Sequence, residues 1–189
     1  MSHAVTSSFI AAVRSVAQPL TGVAGDYDSL VDLIGDARTT ELGEGGEWNV
    51  GQLVRERHGN DTILVGFSTY QGSMTAATEW DSPAEYKRVR PALAESYEAV
   101  FHSVGIPHFL LSFDSDDNAA EALCPARLER AIGVIYRPEI ERLSHYFFAR
   151  LSEQFDAIVH IDETQAVKPL EHWTPPKSAE VPETYPSGQ

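Results

Sequence analysis

Apolar positions along the chain recur in short blocks separated by polar, glycine-rich stretches. Residues 4–17 carry Phe9, Val13 and Val16 on one helical face, and Pro19 stops that helix. Gly22 and Gly25 follow as a joint. Asp28-Ser29 caps a short helix through Ile34, closed by Gly35. Ala37 to Leu42 reads as a strand, an unusually polar one because of Thr39, Thr40 and Glu41, and residues 43–46 as a glycine-rich loop. Asn49 caps a helix to His58, where Arg55, Arg57 and His58 suit the C-terminal dipole and Gly59 suits the C-cap. Thr62 to Phe67 reads as a buried strand. Thr69 to Trp80 reads as a long loop, or a strand with turns. Ser96 caps a helix that ends before Gly105, with Tyr97, Val100, Phe101 and Val104 on one face.

Strands are expected over His108–Phe113, Ala131–Tyr136 and Ala157–Ile161, with an acidic turn at Asp114 to Asn118. Leu143 to Phe155 reads as helical or irregular. Past Trp173, Pro175, Pro176, Pro182 and Pro186 lie among Ser, Glu, Lys and Gly, the composition of a disordered tail. Short apolar strands alternating with helices predict an α/β fold with a mostly parallel sheet flanked by helices. The expected organisation is a helix and joint over 1–25, one α/β domain over 26–172, and a tail over 173–189.

The 189 residues are 42% hydrophobic and 22% charged, enough for one domain with a real core. A net charge of −14 opposes docking on phosphate backbones or anionic lipid, so neither nucleic acid nor membrane is an expected partner. The single cysteine, Cys124, rules out an internal disulfide and any multi-cysteine zinc cluster, and fits a cytoplasmic setting. No apolar run approaches the roughly 18–20 residues of a membrane span. The patch from Phe9 to Val13 is broken by Arg14 and lacks a basic region before it, so no signal peptide is expected.

No serine has glycines two residues away on both sides, as a nucleophile elbow requires; Gly66-Phe67-Ser68 fails at Tyr70. Gly46 to Gly51 has P-loop spacing, but Gln52 stands where lysine is needed, and Trp48 where a dinucleotide fingerprint needs glycine. The seven histidines form no His-x-x-x-His pair. His145, in Ser144-His145-Tyr146, and His160, in His160-Ile161-Asp162-Glu163, are the weak catalytic candidates. On a strand, His160 and Asp162 point the same way, as an active-cleft edge would need or as a satisfied core pair would. Glu44 sits in a glycine-rich loop after the first expected strand, placed for acid–base work or simply solvated. Tyr70 and Trp80 are candidate aromatic walls of a binding loop, or a cap on the core. Asp114 to Asn118 lacks the glycine and terminal glutamate of an EF-hand, and His102 and His108 flank a turn with no chemistry expected of them.

A longer chain of motifs resembles the C-terminal half of the erythromycin-esterase-like hydrolases. It begins at Gly46-Glu47-Trp48-Asn49-Val50-Gly51-Gln52-Leu53-Val54-Arg55 and continues through Val65-Gly66-Phe67-Ser68-Thr69-Tyr70-Gln71-Gly72 and Ala76-Ala77-Thr78-Glu79-Trp80-Asp81. It is densest at Arg130-Ala131-Ile132-Gly133-Val134-Ile135-Tyr136-Arg137-Pro138-Glu139 and Glu141-Arg142-Leu143-Ser144-His145-Tyr146-Phe147, and runs on through Gln154 to Thr164 and Pro169-Leu170-Glu171. Upstream, Ala37-Arg38-Thr39-Thr40-Glu41-Leu42-Gly43-Glu44 is similar to the family's first Leu-Gly-Glu strand end.

The resemblance implies water attack on a carboxylic ester, with macrolide lactones and antibiotic resistance as the associated setting, without a covalent serine or a cofactor. Glu44 is the one residue that matches a family active-site glutamate. The Ser-His-Gly histidine that follows it in the family, a second glutamate, the helical insert and the His-Asn-x-His strand have no counterpart; Gly45-Gly46 follows instead. The resemblance therefore implies a family fold truncated internally near Gly45. The expected function is an ester hydrolase with weak or no activity on a small-molecule ester or macrolide; the alternatives are a non-catalytic remnant or binding domain, or a half-enzyme completed by a partner chain. Loss of inner strands would expose sheet edges, so pairing of two copies into a homo-oligomer is among the expected states.

Overall fold

A computed structural model describes residues 18–19, 35–113 and 118–168. The helices expected over 4–17 and 28–34, most of the acidic turn after Phe113 and the proline-rich tail lie outside the described residues. So do most of the segments 1–25 and 173–189.

The local capping signals place the first elements. Thr40 accepts a hydrogen bond from the Gly43 amide and starts the one-turn helix α1, Glu41–Glu44. Asp36 caps the 3-10 turn Ala37–Thr39 just before it. These two side-chain caps replace the polar strand expected over 37–42, of which only an isolated bridge from Thr40 to Ala149 remains: Asp and Thr side chains draw the backbone into turns. Asn49 caps α2, Val50–His58, through the Gln52 amide at 2.8 Å, and Gly59 (φ 53°) ends it. Arg55 does more than meet the helix dipole. Its guanidinium donates to the Asp156 carboxylate at 2.6 Å and to the Thr62 carbonyl at 3.0 Å, tying α2 to the sheet.

The second apolar stretch continues well past Phe67. β2 spans Val65–Ala76 and turns back through residues 78–82 into β3, Glu85–Val89. Its first half is not buried on both faces: Val65 and Phe67 stay exposed, while Gly66 meets the core. Ser96 caps α3, Tyr97–Val104, whose Tyr97, Val100, Phe101 and Val104 are all buried. Gly105 (φ 74°) takes the left-handed C-cap that a side chain would strain. β4, His108–Ser112, follows. α4, Asn118–Leu123, leads to β5, Arg127–Arg130. After the one-turn helix α5, Glu141–Ser144, come β6, Tyr146–Ala149, the one-turn α6, Leu151–Gln154, and β7, Ala157–Thr164.

The main sheet has the order β4-β7-β2-β3, with the two-residue β1, Gln18–Pro19, on the β4 edge. Only β2 and β7 are parallel; β2–β3, β4–β7 and β1–β4 are antiparallel. The mostly parallel sheet inferred from sequence is therefore corrected to a mixed, mainly antiparallel α/β sheet. Two causes are visible. β2 folds back as a hairpin, and β4 enters beside β7 from the opposite direction. The apolar run 131–136 is not a strand of this sheet either. It lies across the β2 end through Ala77 N–H to Val134 O (2.8 Å) and Tyr136 N–H to Ala77 O (3.0 Å). The neighbouring polar residues Arg127–Arg130 form the strand instead, paired with β6 in a separate two-stranded sheet.

The core lies between α3 and the sheet, where Phe101, Phe109, Leu111 and Ile158 are essentially inaccessible. Among the described residues no helix is long and apolar enough to cross a membrane. Gly72 marks a tight junction inside β2: its φ is 133°, and a Cβ there would stand 2.2 Å from the Thr164 carbonyl oxygen. Gly72→Ala is expected to lower stability by about 1–3 kcal/mol, the scale of a backbone held in a disfavoured region, read as a shifted urea midpoint with an unchanged slope.

Candidate functional site

The five candidate side chains fall in three separate places. Glu44 ends α1, exposed, beside a groove of about 240 Å³ lined by Thr39, Thr40, Glu41, Phe148 and Arg150. Its carboxylate accepts no hydrogen bond from any described residue. The neighbouring Glu41 carboxylate, by contrast, is held by the Phe148 amide at 3.0 Å.

Trp80 and His145 share a larger groove of about 520 Å³, with Val134, Arg137, Ile140 and Leu143 among its walls. Trp80 sits on the β2–β3 turn and is 77% exposed; Leu143 is 86% exposed. His145 is buried under Tyr136, ring centroids 5.2 Å apart, and its Nε2 accepts the Arg137 amide at 3.1 Å. Arg137 in turn donates Nε–H to the Thr78 carbonyl at 2.8 Å, so this histidine helps fix the strand-like segment to the hairpin that carries Trp80.

His160 is fully buried, packed between Phe101 and Phe109. As the strand period requires, it meets Asp162, Nε2 to Oδ1 at 3.4 Å. Two further partners were not legible in sequence. Ser68 Oγ lies 2.9 Å from His160 Nδ1, across the β2–β7 register, and His102 Nδ1 lies 2.8 Å from the same Asp162 oxygen. Tyr70 stacks flat on His102, centroids 3.8 Å apart at 7°. An ionised carboxylate only accepts, so both imidazoles donate to Asp162, which leaves His160 Nδ1 to accept the Ser68 hydroxyl. Sequence reading set His102 aside as a residue flanking a turn; its partner is 60 residues away. The one available signal was that Asp162 shares a strand face with His160.

Burial pushes the His160 pKa down, against the opposing pull of Asp162. Burial also pushes the Asp162 carboxyl up, but hydrogen bonds from His160 and His102 outweigh it and hold it below the usual carboxylate range. Both shifts have one sign for stability: below about pH 6.5 the unfolded chain takes up a proton that folded His160 resists, and below about pH 3.8 the same holds for Asp162. Stability is therefore lost as pH falls through each window. Glu129 opposes them. Its carboxyl tip is enclosed, with Oε2 unpartnered, and burial raises its pKa well above the ordinary value. A His160→Asn variant is expected to flatten the wild-type loss of stability between pH 6.5 and 5, measured by urea unfolding at each pH; an unchanged slope would contradict the assignment.

Two buried features hold these grooves in place. Arg130, on β5, pairs with Glu141 at 3.1 Å with both side chains nearly inaccessible. Gln154 and Glu98 are also buried, and Glu98 Oε1 accepts the Arg130 amide at 3.0 Å. Among the described residues, no group of three or more His, Cys, Asp or Glu side chains is arranged to hold a metal ion.

A sequence model of the family described as erythromycin esterase matches residues 33–164. The chain is also similar to two solved structures. One is a succinoglycan biosynthesis protein, 25% identical with a TM-score of 0.53, the match covering 62% of this chain and 28% of that one. The other is a Bacillus cereus protein, 20% identical with a TM-score of 0.52, covering 61% and 28%; at that identity the likeness shows the fold alone. The chain thus spans less than a third of the length of either structure. The family match runs on both sides of Gly45, takes in Glu44, Tyr70, Trp80, His145 and His160, and covers more than half of the residues, so this chain belongs to the erythromycin esterase family.

Proposed function

We propose that this chain binds a small-molecule ester, of the macrolactone class or smaller, in the Trp80 groove and does not hydrolyse it through Glu44. The observation that supports this reading is the separation of the candidate catalytic side chains from one another. Glu44 stands exposed with no described partner, His145 is engaged by a backbone amide, and His160 is sealed between two phenylalanines. An exposed carboxylate is a weak general base near pH 7, because its basicity is far below that of an imidazole. Losing the base of such a unit costs several powers of ten in rate.

Binding needs less. An exposed tryptophan beside Val134, Ile140 and Leu143 offers an apolar wall that water covers poorly, with Arg137 as a polar contact at its rim. The test is isothermal titration of the chain with a 14-membered macrolide. Saturable heat is expected. Absence of heat at millimolar ligand, with a cooperative unfolding transition showing the chain folded, would count against the reading.

A further inference from the structure

We propose that Glu98, Glu129 and Gln154 hold a calcium ion in the interior, between α3, β5 and α6. The fold presses these three elements together. Ser96, the cap of α3, bridges to Leu128 on β5, which sets Glu98 in the first helical turn against the following strand residues. Glu98 Oε1 accepts the Arg130 amide at 3.0 Å. Gln154 ends α6 and turns its amide to the Glu129 carboxylate, Nε2 to Oε1 at 3.5 Å. Glu98 is 1% exposed and Gln154 is fully buried. Each of the three keeps one enclosed oxygen without a partner: Glu98 Oε2, Glu129 Oε2 and Gln154 Oε1. Among the described residues these are the only buried side-chain polar atoms left unpaired, and all three belong to this one cluster.

Buried acceptors cost free energy unless something meets them, and an orphan that persists in a folded chain points to a missing partner. Here that partner must bring positive charge, because two of the three groups are carboxylates. A proton on Glu129, favoured by burial and by the Glu98 charge, supplies a single donor and leaves another oxygen of the cluster unmet. A divalent cation meets all three oxygens and offsets both charges. An all-oxygen donor set selects a hard cation. Calcium tolerates irregular shells with bidentate carboxylates, whereas magnesium demands near-ideal octahedral geometry and keeps several waters, which suits an enclosed set less well. With an amide as the third donor, the set is not a grouping of three His, Cys, Asp or Glu side chains. Glu129 is only half-buried as a residue, so an outward swing of its carboxylate opens a way in from solvent.

The test is thermal unfolding of the full chain, stripped with EDTA, dialysed and titrated with calcium chloride. The midpoint is expected to rise by about 5–10 °C at calcium a hundredfold above its Kd. Glu129→Gln keeps the shape of the side chain and removes a charge. It is expected to raise the midpoint of the calcium-free chain, because repulsion from Glu98 is relieved, and to weaken calcium binding at least about tenfold. The exposed Glu139→Gln should leave the calcium response unchanged. Calcium also displaces the proton that Glu129 holds. Titration calorimetry of the unaltered chain at about pH 6, in two buffers of different ionisation enthalpy, should therefore show about one proton released per ion bound. The groups facing Glu129 in that exchange are Glu98 and Tyr97 from α3 and Gln154 from α6. A midpoint unmoved by millimolar calcium, an equal rise with magnesium, a full calcium response in Glu129→Gln, or binding without proton release would each overturn the site. None of these outcomes bears on macrolide binding at Trp80, which is read in calcium-free buffer.

Discussion

Arg130→Met is expected to lower the unfolding free energy by about 3–5 kcal/mol, the usual cost of leaving one half of a buried ion pair behind. The guanidinium makes more contacts than the pair alone. Its Nη1 donates to Glu141 Oε1 at 3.1 Å and to the Arg90 carbonyl at 2.8 Å; its Nη2 donates to the Tyr70 carbonyl at 2.9 Å and to that of Thr69. It thus binds β5 to the middle of β2 and to the residue after β3. Glu141 also accepts the Tyr136 hydroxyl at 3.0 Å, and without Arg130 it would be a buried anion with one neutral partner. Urea unfolding at pH 7 measures the loss. Adding Glu141→Met to Arg130→Met should recover part of the loss, because the stranded charge goes with it. A double variant as unstable as the sum of the singles would mean that packing, not charge, sets the cost.

Trp80→Ala is expected to weaken macrolide binding by about 1.5–3 kcal/mol, or roughly 10- to 150-fold in Kd, the scale of a large apolar wall lost from a groove. The same change should leave stability within about 0.5 kcal/mol of wild type, because a side chain 77% exposed has little packing to lose. Titration calorimetry reads the first quantity and thermal unfolding the second. Retained affinity would move the ligand away from this groove.

The legible parts of the fold were those written in local chemistry. Asn49 and Ser96 start their helices, Gly59 and Gly105 end them, and the face holding Tyr97, Val100, Phe101 and Val104 is the one that packs. β4 and β7 follow from short apolar runs, and the spacing of His160 and Asp162 foretold their contact. Strand direction was not legible. Alternation of strands and helices suggests parallel pairing; of the two readings of residues 69–80, a long loop or a strand with turns, the second holds, but it did not tell that β2 runs on to Ala76 and returns as an antiparallel hairpin. The apolar run 131–136 misled because a buried covering segment has the composition of a strand. Arg127–Arg130 hid its strand behind charges that only the tertiary fold pairs or encloses. Sequence named the candidate residues singly and not their grouping: Glu44, Tyr70, Trp80, His145 and His160 are divided among three places. His102 lacked any signal until folding brought Asp162 to it.

The central claim, binding without hydrolysis through Glu44, is tested most directly by equilibrium dialysis against a 14-membered macrolide, followed by mass spectrometry of the ligand on both sides of the membrane. Excess ligand on the protein side, recovered at its starting mass, is the expected result. Product heavier by one water, formed by the wild-type chain and lost in Glu44→Gln, would contradict it.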